Sequence, residues 1–122
     1  MLKDSPHKFV YNFFKFLEKK KGTETPLRVK FLYAPDEITD EDLNVEGYLN
    51  LSHTKITSLP DNLKAGGDLD LSYTSITSLP DNLKVGGNLY LYNTSLAKEY
   101  DEIQIGQMIG DKGGYVKGVI FV

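Results

Sequence analysis

No cysteine occurs anywhere in this 122-residue chain, and histidine occurs only at His7 and His53. Without thiols, neither a disulfide framework nor a thiolate metal site can be built, and a reducing compartment is tolerated. Neither histidine has a serine or carboxylate partner at a recognisable spacing, so acid–base and nucleophilic catalysis have no foothold. The expectation is a protein that is not an enzyme and uses no cofactor or metal. Long apolar runs are missing as well: no stretch approaches the roughly 18 residues of a membrane span. The opening residues, MLKDSPHKFV, lack the basic-then-apolar layout of a secretory signal. A cytoplasmic location, with no membrane partner, is therefore expected.

What remains is ordinary for a globular chain: 40% hydrophobic and 25% charged residues, in a length that suits one domain with a modest core. The net charge of −3 is unevenly spread. Residues 1–30 carry eight Lys/Arg against three Asp/Glu, net +5; residues 31–122 carry six against fourteen, net −8. A basic arm for nucleic acid is one reading of the first part. The wet face of a helix is the other, and the angular pattern favours it. At about 100° per residue, Phe9, Val10, Phe13, Phe14, Phe16 and Leu17 share one face, while Lys15 and Lys19 lie opposite. Asp4 or Ser5 and then Pro6 supply start signals, and Gly22 a stop.

"PLRVKFLY" follows, with Leu27, Val29, Phe31 and Tyr33 alternating with polar positions, which predicts a half-buried strand. The acidic stretch "APDEITDEDLNVEG" then reads as a solvated turn. From Leu51 the chain says nearly the same thing twice: "LSHTKITSLPDNLKAGGDLD" and "LSYTSITSLPDNLKVGGNLY" differ at only five of twenty positions. Spacing extends the pattern back to "LNVEGYLNLSHT" and on to "LKVGGNLYLYNT", so three strand-bearing coils span 43–96.

A period of 20 excludes a continuous helix and predicts a solenoid with one turn per repeat. Leu49, Leu51 and Ile56 would point inward, with copies at 69/71/76 and 89/91/96; Leu59/Leu79 and Leu63/Leu83 would close the opposite wall. Stacked threonines 54, 74 and 94 would bond neighbouring backbone as the chain leaves each strand. Gly66-Gly67 and Gly86-Gly87 would permit a bend with positive φ. Pro60 and Pro80 would stiffen the return path.

The pattern "LxLxxTxIxxLPxxL" resembles the leucine-rich repeat family, in particular its short bacterial type with an "LP" dipeptide in each coil. It is similar too to small repeat proteins with "LPDNLKVGGxLxLxxT" units found in bacteriophage and bacterial genomes. The resemblance covers about 43–96 and implies an α/β (α+β) repeat solenoid built on a short parallel sheet. Two departures stand out: threonine occupies the usual ladder-asparagine position, and Gly66/Gly86 stand where a leucine usually precedes the strand. A solenoid must hide its apolar ends. Residues 1–42 are therefore expected to form a helix-plus-strand N-terminal cap, and 97–122 a helix-plus-strand C-terminal cap within one domain. In the latter, Asp101 and Gln104 suggest a capping box, "GDKGG" a turn, and "YVKGVIFV" a final strand whose Val119, Ile120 and Phe121 cover the last coil.

Three sharper readings give way to plainer ones. "GGDLD" resembles calcium-binding nonapeptide repeats, but the period is wrong and both acids are replaced one coil later. "IGDKGG" fits the GxxG loop of KH domains, yet that loop joins two helices, whereas strand is expected next. The Lys/Phe helix suits a membrane surface, but the first coil needs it as a lid.

The remaining candidate is a binding surface. The resemblance implies that outward residues of the short strands contact partners. By register these include Tyr48, Asn50, Asp68, Asp70, Asn88, Tyr90 and Tyr92 with Ser52 and Ser72, and His53, Lys55 and Tyr73 continue the surface. Four of the five differences between the two full repeats fall in these columns, and tyrosines readily anchor interfaces. The expected function is a non-catalytic protein-interaction module. The phage-like units imply a small accessory protein that binds or inhibits a host factor such as a defence or nucleic-acid enzyme. Nucleic-acid binding through the basic N-terminal region and a structural virion or assembly role are the alternatives.

Overall fold

A computed structural model describes residues 27–122. The chain divides into two compact units, 1–39 and 40–122. The helix expected after Asp4, with its phenylalanine face and its lysines, lies outside the described residues. So does most of the basic stretch on which a nucleic-acid reading rests.

In the first unit, Leu27–Tyr33 is a helix, α1, followed by a 3-10 turn at Pro35–Glu37. The expected strand is thus corrected. Seven residues cannot separate the two periods, because Leu27 and Phe31 are both alternate positions of a strand and neighbours at i, i+4 on a helix. Leu, Arg and Lys are good helix formers. Phe31 alone within α1 is buried.

In the second unit, each repeat contributes a two-residue strand to each of two sheets. The strands are β1 (Asn44–Val45), β2 (Leu49–Asn50), β3 (Lys64–Ala65), β4 (Leu69–Asp70), β5 (Lys84–Val85) and β6 (Leu89–Tyr90). Two short helices follow, α2 (Ser95–Glu99) and α3 (Glu102–Asp111), then β7 (Tyr115–Val116) and β8 (Ile120–Phe121). All pairing is parallel, in the orders β1-β3-β5-β7 and β2-β4-β6-β8. The architecture is α/β: two four-stranded parallel sheets with a few helices.

Register follows the repeat: Leu49 pairs with Leu69 and Leu69 with Leu89, while Lys64 pairs with Lys84. Each leucine meets its own copy, and Leu51, Leu63, Leu69, Leu71, Ile76, Leu83, Leu89, Leu91 and Leu96 are all buried, as their inward positions require. Ala65 and Val85, the one pair of differing residues away from the outward columns, are buried in the sheet that the alternation did not reveal.

The C-terminal segment adds one more strand to each sheet. Lys84 pairs with Tyr115 and Leu89 with Ile120, so the offset is 31 residues where the internal repeats have 20. The added residues hold α3, which lies against β7 and β8 and buries Ile105 and Ile109. Its expected capping box is present: Asp101 accepts from the Gln104 amide at 2.8 Å, and the Gln104 side chain accepts from the Asp101 amide at 2.9 Å. "YVKGVIFV" is consequently two short strands, one in each sheet, broken at Lys117-Gly118. "GDKGG" is the helix-to-strand turn, with Gly113 left-handed at φ 84°.

One local expectation changes, and the threonine bonds to backbone take a definite form. Among the described glycines only Gly113 has positive φ; the paired glycines are needed instead for close approach. A Cβ on Gly66 would run into the Glu46 carbonyl, and one on Gly86 into the Gly66 carbonyl. The threonines bond within their own coil: Thr54, Thr74 and Thr94 donate to the carbonyls of Leu51, Leu71 and Leu91 at 2.7–2.8 Å. Thr94 also caps α2 by accepting from the Ala97 amide.

Candidate partner-binding face

The outward columns of β2, β4, β6 and β8 run across the coils. One holds Tyr48, Asp68, Asn88 and Val119; the next holds Asn50, Asp70, Tyr90 and Phe121, as the pairing of Asn50 with Asp70, Asp70 with Tyr90 and Tyr90 with Phe121 dictates. Beyond them, the chain turns at His53, Tyr73 and Asn93, which adopt left-handed φ values of 58°, 58° and 55°. That conformation is uncommon for any residue other than glycine, and a bulky ring there is an outlier. It persists because backbone pairing holds it: His53 N–H donates to Ser72 O at 3.0 Å and Tyr73 N–H to Tyr92 O at 2.8 Å.

Aromatic rings stack along these columns. His53 lies parallel to Tyr73 with centroids 4.6 Å apart. Tyr90 lies parallel to Phe121 at 4.9 Å, and Tyr92 is tilted against both. Tyr48, Tyr73 and Tyr92 remain 57%, 52% and 41% exposed. Offset stacking pre-orders rings that would otherwise lose rotamer freedom when a partner arrives. Phe121 was expected to cover the last coil; it stands on this outward face because β8 continues the column of Tyr90. Val119 is likewise outward and 54% exposed, and only Ile120 takes the inward register.

Several of the polar residues also carry the scaffold. An Asp68 carboxylate oxygen accepts from the Asn88 backbone amide at 2.7 Å, and the Asn88 side-chain oxygen accepts from the Val119 backbone amide at 2.8 Å. This side-chain ladder passes from coil to coil. Asp70 accepts from the Ser72 amide and Asn50 from Ser52. Ser72 accepts from the Tyr92 amide. Ser52 and Ser72 are buried and so leave the candidate surface. Lys55 is exposed in the turn after His53.

Charge on the face is legible at Tyr48. Partial desolvation, the negative charges of Asp70 and Asp68, and a hydrogen bond to Asp70 raise its phenol above the ordinary value of 10.0. Asp68 and Asp70 thus keep a local negative potential although one oxygen of each accepts a backbone amide. Among the described residues, no group of three or more His, Asp or Glu is placed to hold a metal ion. No described helix is long and apolar enough to cross a membrane.

Comparison with protein-family models, with curated proteins and with solved structures gave no match.

Proposed function

We propose that this chain is a small repeat solenoid of the leucine-rich type that binds a protein partner through the β2-β4-β6-β8 face and catalyses nothing. The observation that carries the reading is the set of rings on this face beside Asp68 and Asp70: the stacked pair His53–Tyr73, the half-buried stacked pair Tyr90–Phe121, and the exposed rings of Tyr48, Tyr73 and Tyr92. Exposed tyrosines offer apolar contact area with few torsions to freeze. The two carboxylates favour a partner with a basic surface by steering its approach. The likeness of the repeats to phage-type units supports an accessory role in a host cytoplasm, binding or inhibiting a host factor.

Quantitative affinity capture from a bacterial lysate tests this, comparing the wild-type chain with Tyr90→Ala/Tyr92→Ala. Circular dichroism verifies that the variant folds. A specific protein retained by the wild type and lost by the variant is the expected result. Retention of every captured protein by the folded variant overturns the assignment of the face.

A further inference from the structure

The other sheet carries a feature the partner-binding reading does not use. Lys64 and Lys84 are register partners in β3 and β5, which places their backbones about one strand spacing, ~4.8 Å, apart. Like charges directly opposed on neighbouring strands are destabilising. Neither ammonium has an ion pair or hydrogen bond among the described residues. Two of the unit's four other lysines are engaged: Lys112 donates to the Leu79 carbonyl at 2.7 Å, and the Lys117 ammonium lies 5.8 Å from the centroid of the Tyr115 ring.

The two lysines line an open cleft of about 580 Å³ together with Asp40, Leu43, Asn44, Asn62 and Asn82. The turn asparagines are left-handed, with φ of 69° and 57°. Asn82 donates its side-chain amide to the Asn62 side-chain oxygen at 2.9 Å. That bond occupies an acceptor of Asn62 and leaves its own amide hydrogens free to donate. The lining is therefore rich in donors: two ammonium groups and the Asn62 amide. Asp40 is the one acid among the described residues that line it.

We propose that this cleft binds a phosphate-bearing ligand with two adjacent phosphoryl groups, whose neighbouring oxygens match two ammonium groups set side by side. Charge-assisted hydrogen bonds to both lysines hold the anion and relieve the repulsion that the strand register imposes. Asn62 adds a neutral donor, and Asp40 limits the affinity.

The test is titration of the full chain with inorganic pyrophosphate and, in parallel, with a nucleoside diphosphate at low ionic strength. NMR follows the side-chain amides of Asn62 and Asn82, and thermal melts follow stability. Saturable shifts of those amides and a rise in Tm with ligand are expected. Lys64→Gln and Lys84→Gln each weaken binding about fivefold, Asp40→Asn tightens it by a smaller factor, and Lys98→Gln, outside the cleft, leaves it unchanged. Equal affinity for the two ligands assigns recognition to the phosphates alone; tighter binding of the nucleotide adds its nucleoside to the site. Absence of amide shifts with both ligands up to about 10 mM, or equal weakening by Lys98→Gln, overturns the proposal. Because Lys64 is exposed and Lys84 half-buried, the double glutamine variant folds and, without anion, is at least as stable as the wild type.

Discussion

Gly47 and Gly87 occupy the same register column two coils apart, and replacing each by alanine has opposite consequences. Neither glycine has positive φ, so alanine is conformationally allowed at both. On that ground alone each substitution stabilises by about 0.4–1 kcal/mol, because the unfolded chain loses freedom. At Gly47 nothing lies within 4 Å of the added Cβ, and the gain survives. At Gly87 the Cβ meets the Gly67 carbonyl carbon at 2.9 Å and the Asp68 amide nitrogen at 3.0 Å, and it presses into the Asp68 carboxylate. Those neighbours are backbone or tied to it: Gly87 N–H donates to Gly67 O at 3.0 Å, and the Asp68 carboxylate holds the Asn88 amide. Relief requires the coils to part, with an overpacking cost of about 1–3 kcal/mol. Gly87→Ala is therefore destabilised by about 1–2 kcal/mol net, and Gly47→Ala is as stable as the wild type or more so. Urea unfolding followed by far-UV circular dichroism reads the difference as shifted midpoints at constant m-value. A Gly87→Ala variant as stable as the wild type, or a Gly47→Ala variant equally damaged, refutes close approach of the coils as the reason for the glycine pairs.

The side-chain ladder and the acidic face make further predictions. Asn88→Ala takes the acceptor from the exposed Val119 amide, which turns to water, and costs about 0.5–1.5 kcal/mol, whereas Asn88→Asp retains an accepting oxygen and recovers most of it; hydrogen exchange at Val119 should quicken in the first variant and not in the second. Tyr48 has a phenol pKa raised in the folded state, so its contribution is fully present below the ordinary tyrosine value and is lost as pH rises through the folded value. Tyr48→Phe should therefore lose less stability than the wild type between pH 9 and 11, roughly the window around the ordinary tyrosine pKa, in chemical denaturation; parallel pH profiles for the two proteins would contradict this.

The 20-residue period was enough to align the inward leucines and the outward columns, because identical residues stacked at one spacing leave a single register that buries them all. The second sheet was hidden. Lys64–Ala65 and Lys84–Val85 are two residues long, too short to show alternation, and the Ala65/Val85 difference was the trace they left. The C-terminal coil was masked by the α3 insertion, which stretches the offset to 31. Within it, Gly118 still takes the place of Gly87, donating its amide to the Gly87 carbonyl at 2.9 Å. That stretched offset hides from the sequence that Phe121 and Val119 continue the outward columns of Tyr90 and Asn88. Left-handed His53 and Tyr73 were also illegible, since glycine was the residue expected to carry positive φ. The α1 segment is ambiguous for a different reason: Leu27-x-Val29-x-Phe31 satisfies both periods when only seven residues are available.

Site-specific photo-crosslinking most directly tests whether the β2-β4-β6-β8 face is an interface. A photoreactive phenylalanine derivative placed at Tyr73 or Tyr92, two exposed rings of the face, is compared with one at Ser78, an exposed position of the return path. Irradiation in a bacterial lysate should give one discrete protein adduct from positions 73 and 92 and none from 78. No adduct from either ring position, or the same adducts from all three, would contradict the account.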